Sequence, residues 1–116
     1  MAEEKTFENK IKKYLKEKGA WYIKYWSGGN FTKEGIPDLL ICYKGCFIAV
    51  EVKASRGKPE LIQLVTMRKI RDAGGIAILL YPQDWENFKL YIEKKNDSWY
   101  NENIIFQDKW YNKLYL

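Results

Sequence analysis

The feature of this sequence that most restricts its fold is a pair of apolar runs joined by a short turn. Residues 38–43 and 46–53 are rich in aliphatic and aromatic side chains, and Lys44-Gly45 separates them. This arrangement predicts a β-hairpin. Because both arms are mostly apolar on both faces, we expect them in the middle of a sheet that helices cover on two sides.

The periodicity of the remaining sequence predicts an αβββαβ order. We take Thr6 as the N-cap of an amphipathic helix that ends near Gly19. A helix that joins two strands of one sheet gives a right-handed parallel connection, so the last strand should run parallel to the second hairpin arm. The predicted ranges are 7–19 (helix), 21–26 (strand), 38–43 (strand), 46–53 (strand), 60–73 (helix) and 76–81 (strand), with a further helix within 82–93.

Length and composition favour one folded α/β domain with a mixed central sheet. At 116 residues the chain has room for a single core, and 47% hydrophobic residues exclude a disordered segment. No run approaches the roughly 20 apolar residues that cross a bilayer, and the charged N-terminus lacks a secretory signal. We therefore expect one domain over residues 1–116, no membrane contact and a cytoplasmic location. Residues 96–116 could pair as strands, pack as a short helix or cover a partner.

Two cysteines flank the hairpin turn. Cys42 and Cys46 could form a disulfide or supply part of a zinc site. A zinc site needs about four ligands, and cytoplasmic thiols usually stay reduced. Because the chain has no histidine, we expect both cysteines to be buried or half-buried structural residues.

The net charge of +5 and the excess of lysine suggest a polyanionic partner. Lysines are concentrated in the first predicted helix and in residues 53–58. The first-helix lysines could equally form an ordinary solvated face, so charge alone does not establish nucleic-acid binding.

The charged ends of the hairpin arms carry the candidate chemistry. Glu51 and Lys53 point to the same face of their strand, and Asp38 opens the opposite arm. An intrastrand salt bridge between Glu51 and Lys53 is the simpler explanation. With Asp38 added, two carboxylates and an ammonium converge, which suits Mg²⁺ or Mn²⁺ and the hydrolysis of a phosphodiester.

These residues resemble the PD-(D/E)XK nucleases, in particular the VRR-NUC branch and the archaeal-type Holliday junction resolvases. The resemblance covers about residues 7–81, in the αβββαβ order of a restriction-endonuclease-like core, and leaves 82–116 as a C-terminal extension. The matching elements, in chain order, are Glu8, Gly35-Ile36-Pro37-Asp38, Glu51-Val52-Lys53 and Gln63.

The resemblance implies a role for each matching residue. Asp38 and Glu51 would bind Mg²⁺ or Mn²⁺, and Lys53 would act on the attacking water or on the charge of the transition state. Glu8 would help to hold the metal or its waters, and Gln63 would either support the metal ligands by hydrogen bonding or position water. Glu8 and Gln63 could instead be ordinary surface residues.

The resemblance also implies a partner and an assembly. The expected substrate is branched DNA such as a four-way junction, cut by a homodimer that could be phage-borne and act in a bacterial or phage-infected cell. The alternatives are a flap or single-strand nuclease of the same chemistry, a non-catalytic DNA-binding module, and an RNA-processing enzyme. The candidate DNA contacts are Lys10, Lys13, Lys33, Arg56, Lys58 and Ser27, and Ser27 could be a plain loop serine.

Overall fold

A computed structural model describes residues 2–26 and 34–93 of the chain. Three α-helices and four strands follow one another in the predicted order, with a short 3₁₀ turn before the last helix. The elements are α1 (Ala2–Glu17), β1 (Trp21–Lys24), β2 (Leu39–Tyr43), β3 (Cys46–Val52), α2 (Leu61–Asp72), β4 (Ile76–Leu80), the 3₁₀ turn (Pro82–Asp84) and α3 (Trp85–Glu93). The prediction for residues 96–116 lies outside the described part of the chain.

The strands form one mixed sheet in the order β1-β2-β3-β4. β1 pairs antiparallel with β2, and β2 pairs antiparallel with β3. Lys44 and Gly45 connect β2 to β3 with φ values of 50° and 83°, as a tight hairpin turn requires. β4 pairs in parallel with β3. The predicted hairpin, the parallel crossover and the α/β class are therefore confirmed, and the fold is restriction-endonuclease-like.

The main core lies between one face of the sheet and helices α1 and α3. Alternate residues of β2, β3 and β4 point into it and meet the apolar stripe of α1. In α3, which belongs to the predicted C-terminal extension, Phe88 and Ile92 are fully buried in the same core. This packing fixes α1 against the sheet, and it thereby fixes where the side chains of α1 meet the strand ends.

The opposite face of the sheet is covered only in part. There α2 packs on β3 and β4, where Met67 meets Ala77 and Leu79. On the same face, Trp21 of β1 and Phe47 near the start of β3 remain 64% and 46% exposed among the described residues. The expectation of a sheet covered on both faces is thus correct for β4 and for the part of β3 beneath α2. It is wrong for β1 and for the turn end of the hairpin, where Cys42 and Phe47 are exposed, because α2, the helix on this face in the described part of the chain, does not cover them.

Three local predictions need correction. α1 begins at Ala2, so Thr6 lies inside the helix and is not its N-cap; Ala2 and the glutamates after it favour a helical start. β1 ends at Lys24, two residues earlier than predicted. Cys42 is exposed because it points to the uncovered sheet face, whereas Cys46 is half-buried as expected, and both thiols are free. In the described residues no helix is long and apolar enough to cross a membrane.

Candidate active site

The sheet register brings the predicted carboxylates together. Leu39 pairs with Val50 in the antiparallel ladder, so one step further along each strand Asp38 lies opposite Glu51. Asp38 Oδ2 accepts a hydrogen bond of 2.8 Å from the backbone N–H of Val52. The carboxylate of Asp38 is therefore anchored directly at the end of β3.

The segment before Asp38 is shaped by its contact with α2. Gly35 has φ +79°, and a Cβ atom there would lie 2.8 Å from both the side chain and the carbonyl oxygen of Ile62. Only glycine avoids both the backbone strain and this clash. The close approach explains why Gly-Ile-Pro-Asp can lead the chain past α2 and deliver Asp38 to the strand end.

Glu51 is a buried carboxylate with incomplete hydrogen bonding. Only 3% of the residue is exposed. Its Oε2 atom accepts a hydrogen bond of 2.8 Å from Gln63 Nε2 and lies 3.4 Å from Lys53 Nζ. Its Oε1 atom is buried and accepts no hydrogen bond from any residue that the structure describes. One carboxylate oxygen is thus left available for a further ligand.

The position of Gln63 is fixed by the helix that carries it. Gln63 Oε1 accepts a hydrogen bond of 2.8 Å from the backbone N–H of Glu60, the residue before α2. Since that N–H can only donate, the oxygen of the Gln63 amide must face it. The amide nitrogen is therefore turned toward Glu51, which it serves as a donor.

The surroundings of Glu51 disfavour its charged form. Burial raises the pKa of Glu51 to about 8, and the nearby negative charge of Asp38 acts in the same direction. The ammonium of Lys53 opposes this shift without cancelling it. A cation placed beside Glu51 and Asp38 would favour the charged form of Glu51, because it stabilises the ionised carboxylates.

Glu8 approaches the site from α1 and has cationic partners. Its Oε1 atom lies 2.7 Å from Lys24 Nζ, and its Oε2 atom lies 3.0 Å from Lys12 Nζ. Burial raises the pKa of Glu8, but hydrogen bonds and charge from Lys24 and Lys12 more than offset burial, so its pKa is lowered overall. Lys24 Nζ also contacts Asp38 Oδ1 at 3.2 Å. Lys24 thus joins Glu8 to Asp38.

Asp38 and Glu51 fit a small divalent cation better than Glu8 does. Mg²⁺ commonly takes one or two protein carboxylates and keeps several waters. The unpartnered Oε1 of Glu51 and the adjacent Asp38 provide such a pair, whereas both oxygens of Glu8 face ammonium groups. No group of three or more acidic, cysteine or histidine side chains suited to a metal occurs within residues 2–26 and 34–93.

The structure brings five of the predicted site residues to one end of the sheet. Lys24 joins Glu8 to Asp38, the backbone N–H of Val52 joins Asp38 to the end of β3, and Glu51 contacts Lys53 and Gln63 directly. Their predicted catalytic and metal-binding roles remain predictions. The contacts divide the site into two halves, one containing Glu8 and Lys24 and the other Glu51, Lys53 and Gln63, and Asp38 lies between them.

The predicted DNA contacts are distributed unevenly around this site. Arg56 and Lys58 are exposed on the loop between β3 and α2. Lys10 and Lys13 are exposed on α1, and Lys10 Nζ lies 5.5 Å from the Trp85 ring, on the side of α1 that faces α3. Ser27 and Lys33 lie outside the described residues.

The loop with Arg56 and Lys58 is fastened at three points. The backbone N–H of Ser55 donates to Glu3 Oε1 at 3.1 Å, and the Ser55 hydroxyl also contacts Glu3. The hydroxyl of Tyr81 donates to the carbonyl oxygen of Gly57 at 2.8 Å, and Gln83 Nε2 donates to the carbonyl oxygen of Ser55 at 3.2 Å. Two basic side chains are therefore presented from an anchored loop immediately after Lys53.

Sequence reasoning missed Lys24 and Lys12. Lys12 could have been found, because it follows Glu8 by four residues on the same helix and such residues are neighbours. Lys24 gave a weaker indication: a lysine at the end of an aromatic strand is normally a solvated residue. Only the packing of α1 against β1 reveals that it binds two carboxylates.

A sequence profile described as that of the archaeal Holliday junction resolvase (Hjc) family matches residues 2–100. The match covers most of the chain and includes every described element. It agrees with the predicted resemblance at the level of the resolvases, and the finer VRR-NUC assignment stays a prediction. No curated protein matches the chain significantly.

Proposed function

The chain belongs to the archaeal Holliday junction resolvase family, a family of PD-(D/E)XK-type nucleases, and from this premise we propose that it cuts branched DNA in a reaction that depends on Mg²⁺ or Mn²⁺. The observation that carries the proposal is the position of Asp38 opposite Glu51 at the end of the hairpin. The buried Oε1 atom of Glu51 has no hydrogen-bond partner among the described residues.

Asp38 and Glu51 are the proposed metal ligands. When bound, a divalent ion supplies Lewis-acid activation of the phosphate and lowers the pKa of a coordinated water. Asp38 is held for this task by the Val52 N–H and by Lys24. Glu51 is held by Gln63, so its free oxygen keeps a constant direction.

Lys53 is the residue proposed to act on the reacting atoms. It lies 3.4 Å from Glu51 and is only 12% exposed at its side chain. An ammonium in this shielded position can orient the attacking water by hydrogen bonding and stabilise negative charge that develops on the phosphate. Glu8 is proposed as a positioning residue that acts through Lys24 on Asp38.

Contacts between basic side chains and the phosphate backbone of DNA are the proposed basis of affinity. Arg56 and Lys58 on the anchored loop lie next in sequence to the catalytic strand end and can neutralise phosphates beside the cleaved bond. Lys10 and Lys13 on α1, together with Ser27 and Lys33, complete the proposed set. Contacts of this kind read the shape of a junction rather than its base sequence.

The test is cleavage of four-way junction, flap, single-stranded and duplex DNA with Mg²⁺, Mn²⁺ or EDTA. Paired nicks in the junction that require metal and disappear in Lys53→Ala are expected. Cutting confined to flaps or single strands would keep the chemistry and change the substrate. Binding without cleavage in the presence of either metal would contradict the proposal and favour a DNA-binding module.

We also propose that the active form is a homodimer. Leu61, Ile62 and Val65 are 67%, 43% and 37% exposed on the first turns of α2, and exposed apolar groups clustered on one helix favour association. Light scattering should give a dimer mass for the native chain and a monomer mass for a Leu61→Lys/Val65→Lys variant. Leu90→Lys on α3, where Leu90 is 51% exposed, is the matched control and should remain dimeric.

The domain organisation of the chain is also part of the proposal. We propose one nuclease domain over residues 1–116, with its catalytic core at about 7–81 and an extension over 82–116. The packing of Phe88 and Ile92 in the main core supports a single unit at least as far as α3. A single cooperative unfolding transition seen by both tryptophan fluorescence and circular dichroism is expected.

A further inference from the structure

A second binding feature lies immediately beside the carboxylates. The backbone N–H of Tyr25 donates to the carbonyl oxygen of Asp38 at 2.8 Å. Trp26 is the next residue along the chain, so its backbone lies close to Asp38. Trp26 is 69% exposed, the largest exposed fraction among the large apolar residues that the structure describes. A wide, accessible indole is therefore presented at the rim of the candidate active site.

Two lysines lie close to this indole. Lys24 Nζ is 5.4 Å from the centre of the Trp26 ring, and Lys5 Nζ is 5.8 Å from it. Both distances are within the range of a cation–π interaction. Lys24 is the same residue that contacts Glu8 and Asp38, so the ring is directly coupled to the active-site charges.

This combination matches the way in which proteins hold unpaired nucleotides. Aromatic side chains provide a surface on which a base stacks, and nearby cations attract the adjacent phosphates. At the branch point of a four-way junction the terminal base pairs of the arms can lose a stacking neighbour. We propose that Trp26 is a stacking surface for a nucleobase at the branch point, next to the cleaved strand; this inference rests on the proposed function.

Trp21 shows that exposure alone does not create such a surface. It is 64% exposed at the opposite end of β1. It pairs with Cys42, which in turn pairs with Phe47, so it belongs to the uncovered sheet face. Trp21 is the first residue of β1, whereas Asp38 contacts Tyr25, just past the last residue of β1. Trp21 therefore lies at the end of β1 away from Asp38. Two tryptophans of similar exposure thus differ in distance from the active site, which makes Trp21 the matched control.

The experiment compares Trp26→Ala, Trp26→Phe and Trp21→Ala on a four-way junction that carries 2-aminopurine at the branch point. Binding is measured in EDTA so that no cleavage occurs. A second junction carries 2-aminopurine in the middle of one arm. Stacking on Trp26 should change the fluorescence of the branch-point base on binding, and leave the fluorescence of the arm base unchanged.

We expect Trp26→Ala to weaken junction binding about tenfold and to abolish the fluorescence change. Trp26→Phe keeps an aromatic face and should therefore retain most of the junction affinity and most of the fluorescence change. Trp21→Ala should match the native chain in both measurements. Thermal unfolding of each variant verifies that it is folded. Equal behaviour of Trp26→Ala and Trp21→Ala in both readouts would overturn the inference.

The outcome also separates this inference from the proposed function. A native chain that cuts junctions, with Trp26→Ala binding as tightly as the native chain, would overturn the stacking surface alone. A native chain that neither binds nor cuts branched DNA would overturn both. A drop in the cleavage rate at saturating DNA without a loss of affinity would point to a disturbed Lys24 and would likewise overturn the stacking role.

Discussion

The two halves of the candidate site each contain a buried glutamate, and their surroundings shift the two pKa values in opposite directions. Glu8 is 4% exposed and Glu51 is 3% exposed. The pKa of Glu8 is lowered because Lys24 and Lys12 outweigh burial, whereas burial and Asp38 raise the pKa of Glu51 to about 8. Similar solvent exposure therefore does not imply an equal charge state: Glu51 lies deeper in the protein with Asp38 nearby, whereas Glu8 has two ammonium groups as partners.

This difference assigns different tasks to the two halves. Glu8 is neutralised within the protein, so it can hold Lys24 and Asp38 in place without a ligand. Glu51 is compensated only in part: Gln63 and Lys53 both contact Oε2, and Oε1 has neither a hydrogen-bond donor nor an ammonium group as partner among the described residues. A buried carboxylate in this state is costly for the metal-free protein and is stabilised by a bound cation. If Glu51 is the metal ligand proposed above, its partial compensation favours metal binding and lowers the stability of the metal-free protein.

The largest expected effect is on cleavage. Glu51→Gln should lower the rate about a thousandfold, because it removes a proposed metal ligand. Glu8→Gln should lower it only about 10- to 100-fold, because Glu8 acts through Lys24. Rates on a four-way junction with Mg²⁺ measure both, and Glu86→Gln at an exposed position of α3 serves as control. Equal losses of cleavage rate in Glu51→Gln and Glu8→Gln would contradict the assignment of different roles to the two halves.

The lysines of the two halves should differ in their effect on stability. Lys24→Met should lower the free energy of unfolding by about 3 kcal/mol, because it leaves Glu8 and Asp38 without their shared cation. Lys53→Met should cost less than about 1 kcal/mol in metal-free buffer, because Glu51 can remain protonated. Urea unfolding near neutral pH measures both variants. A Lys53→Met variant as unstable as Lys24→Met would contradict the contrast.

The pH dependence of stability should also differ in sign. Between its ordinary value and about 8, Glu51 keeps its proton in the folded chain and loses it in the unfolded chain. Its contribution to the free energy of unfolding therefore falls as the pH rises through this window. Glu8, with a lowered pKa, contributes stability that is lost as the pH falls below its ordinary value.

Amide variants test this sign. In EDTA at a pH of about 8.5, Glu51→Gln should raise the melting temperature by roughly 5 to 10 °C, and Glu8→Gln should lower it by a similar amount. Mg²⁺ should then stabilise the native chain and leave Glu51→Gln unchanged. Differential scanning calorimetry with and without Mg²⁺ measures these melting temperatures. A Glu51→Gln variant that is less stable than the native chain in EDTA would show that Lys53 and Gln63 already compensate the charge of Glu51.

The smallest expected effect concerns the support of Glu51 by α2. Gln63→Ala removes the donor that fixes Oε2, so the affinity for Mg²⁺ or Mn²⁺ should fall about tenfold. Asn87→Ala on the exposed side of α3 is the control. Metal titration by calorimetry measures the change. Unaltered metal affinity in Gln63→Ala would show that Lys53 and the backbone suffice to orient Glu51.

Local sequence was sufficient for the hairpin and for the central pair of the site. Alternation along β3 puts Glu51 and Lys53 on one face, and the Lys44-Gly45 turn sets the register that places Asp38 opposite Glu51. These features depend on residues close in the chain, and their periodicity is visible in the sequence. The start of α1 was misplaced because Thr6 resembles a cap although the residues before it are good helix formers.

The sequence by itself thus determined the element order, the hairpin register and the convergence of Asp38, Glu51 and Lys53. The tertiary structure decided how each carboxylate is compensated. The packing of α1 on the sheet brings Lys24 to Glu8 and Asp38, while α2 brings Gln63 to only one oxygen of Glu51. Pairing between neighbouring strands follows from local periodicity, but the charge state of a buried group depends on every element packed around it.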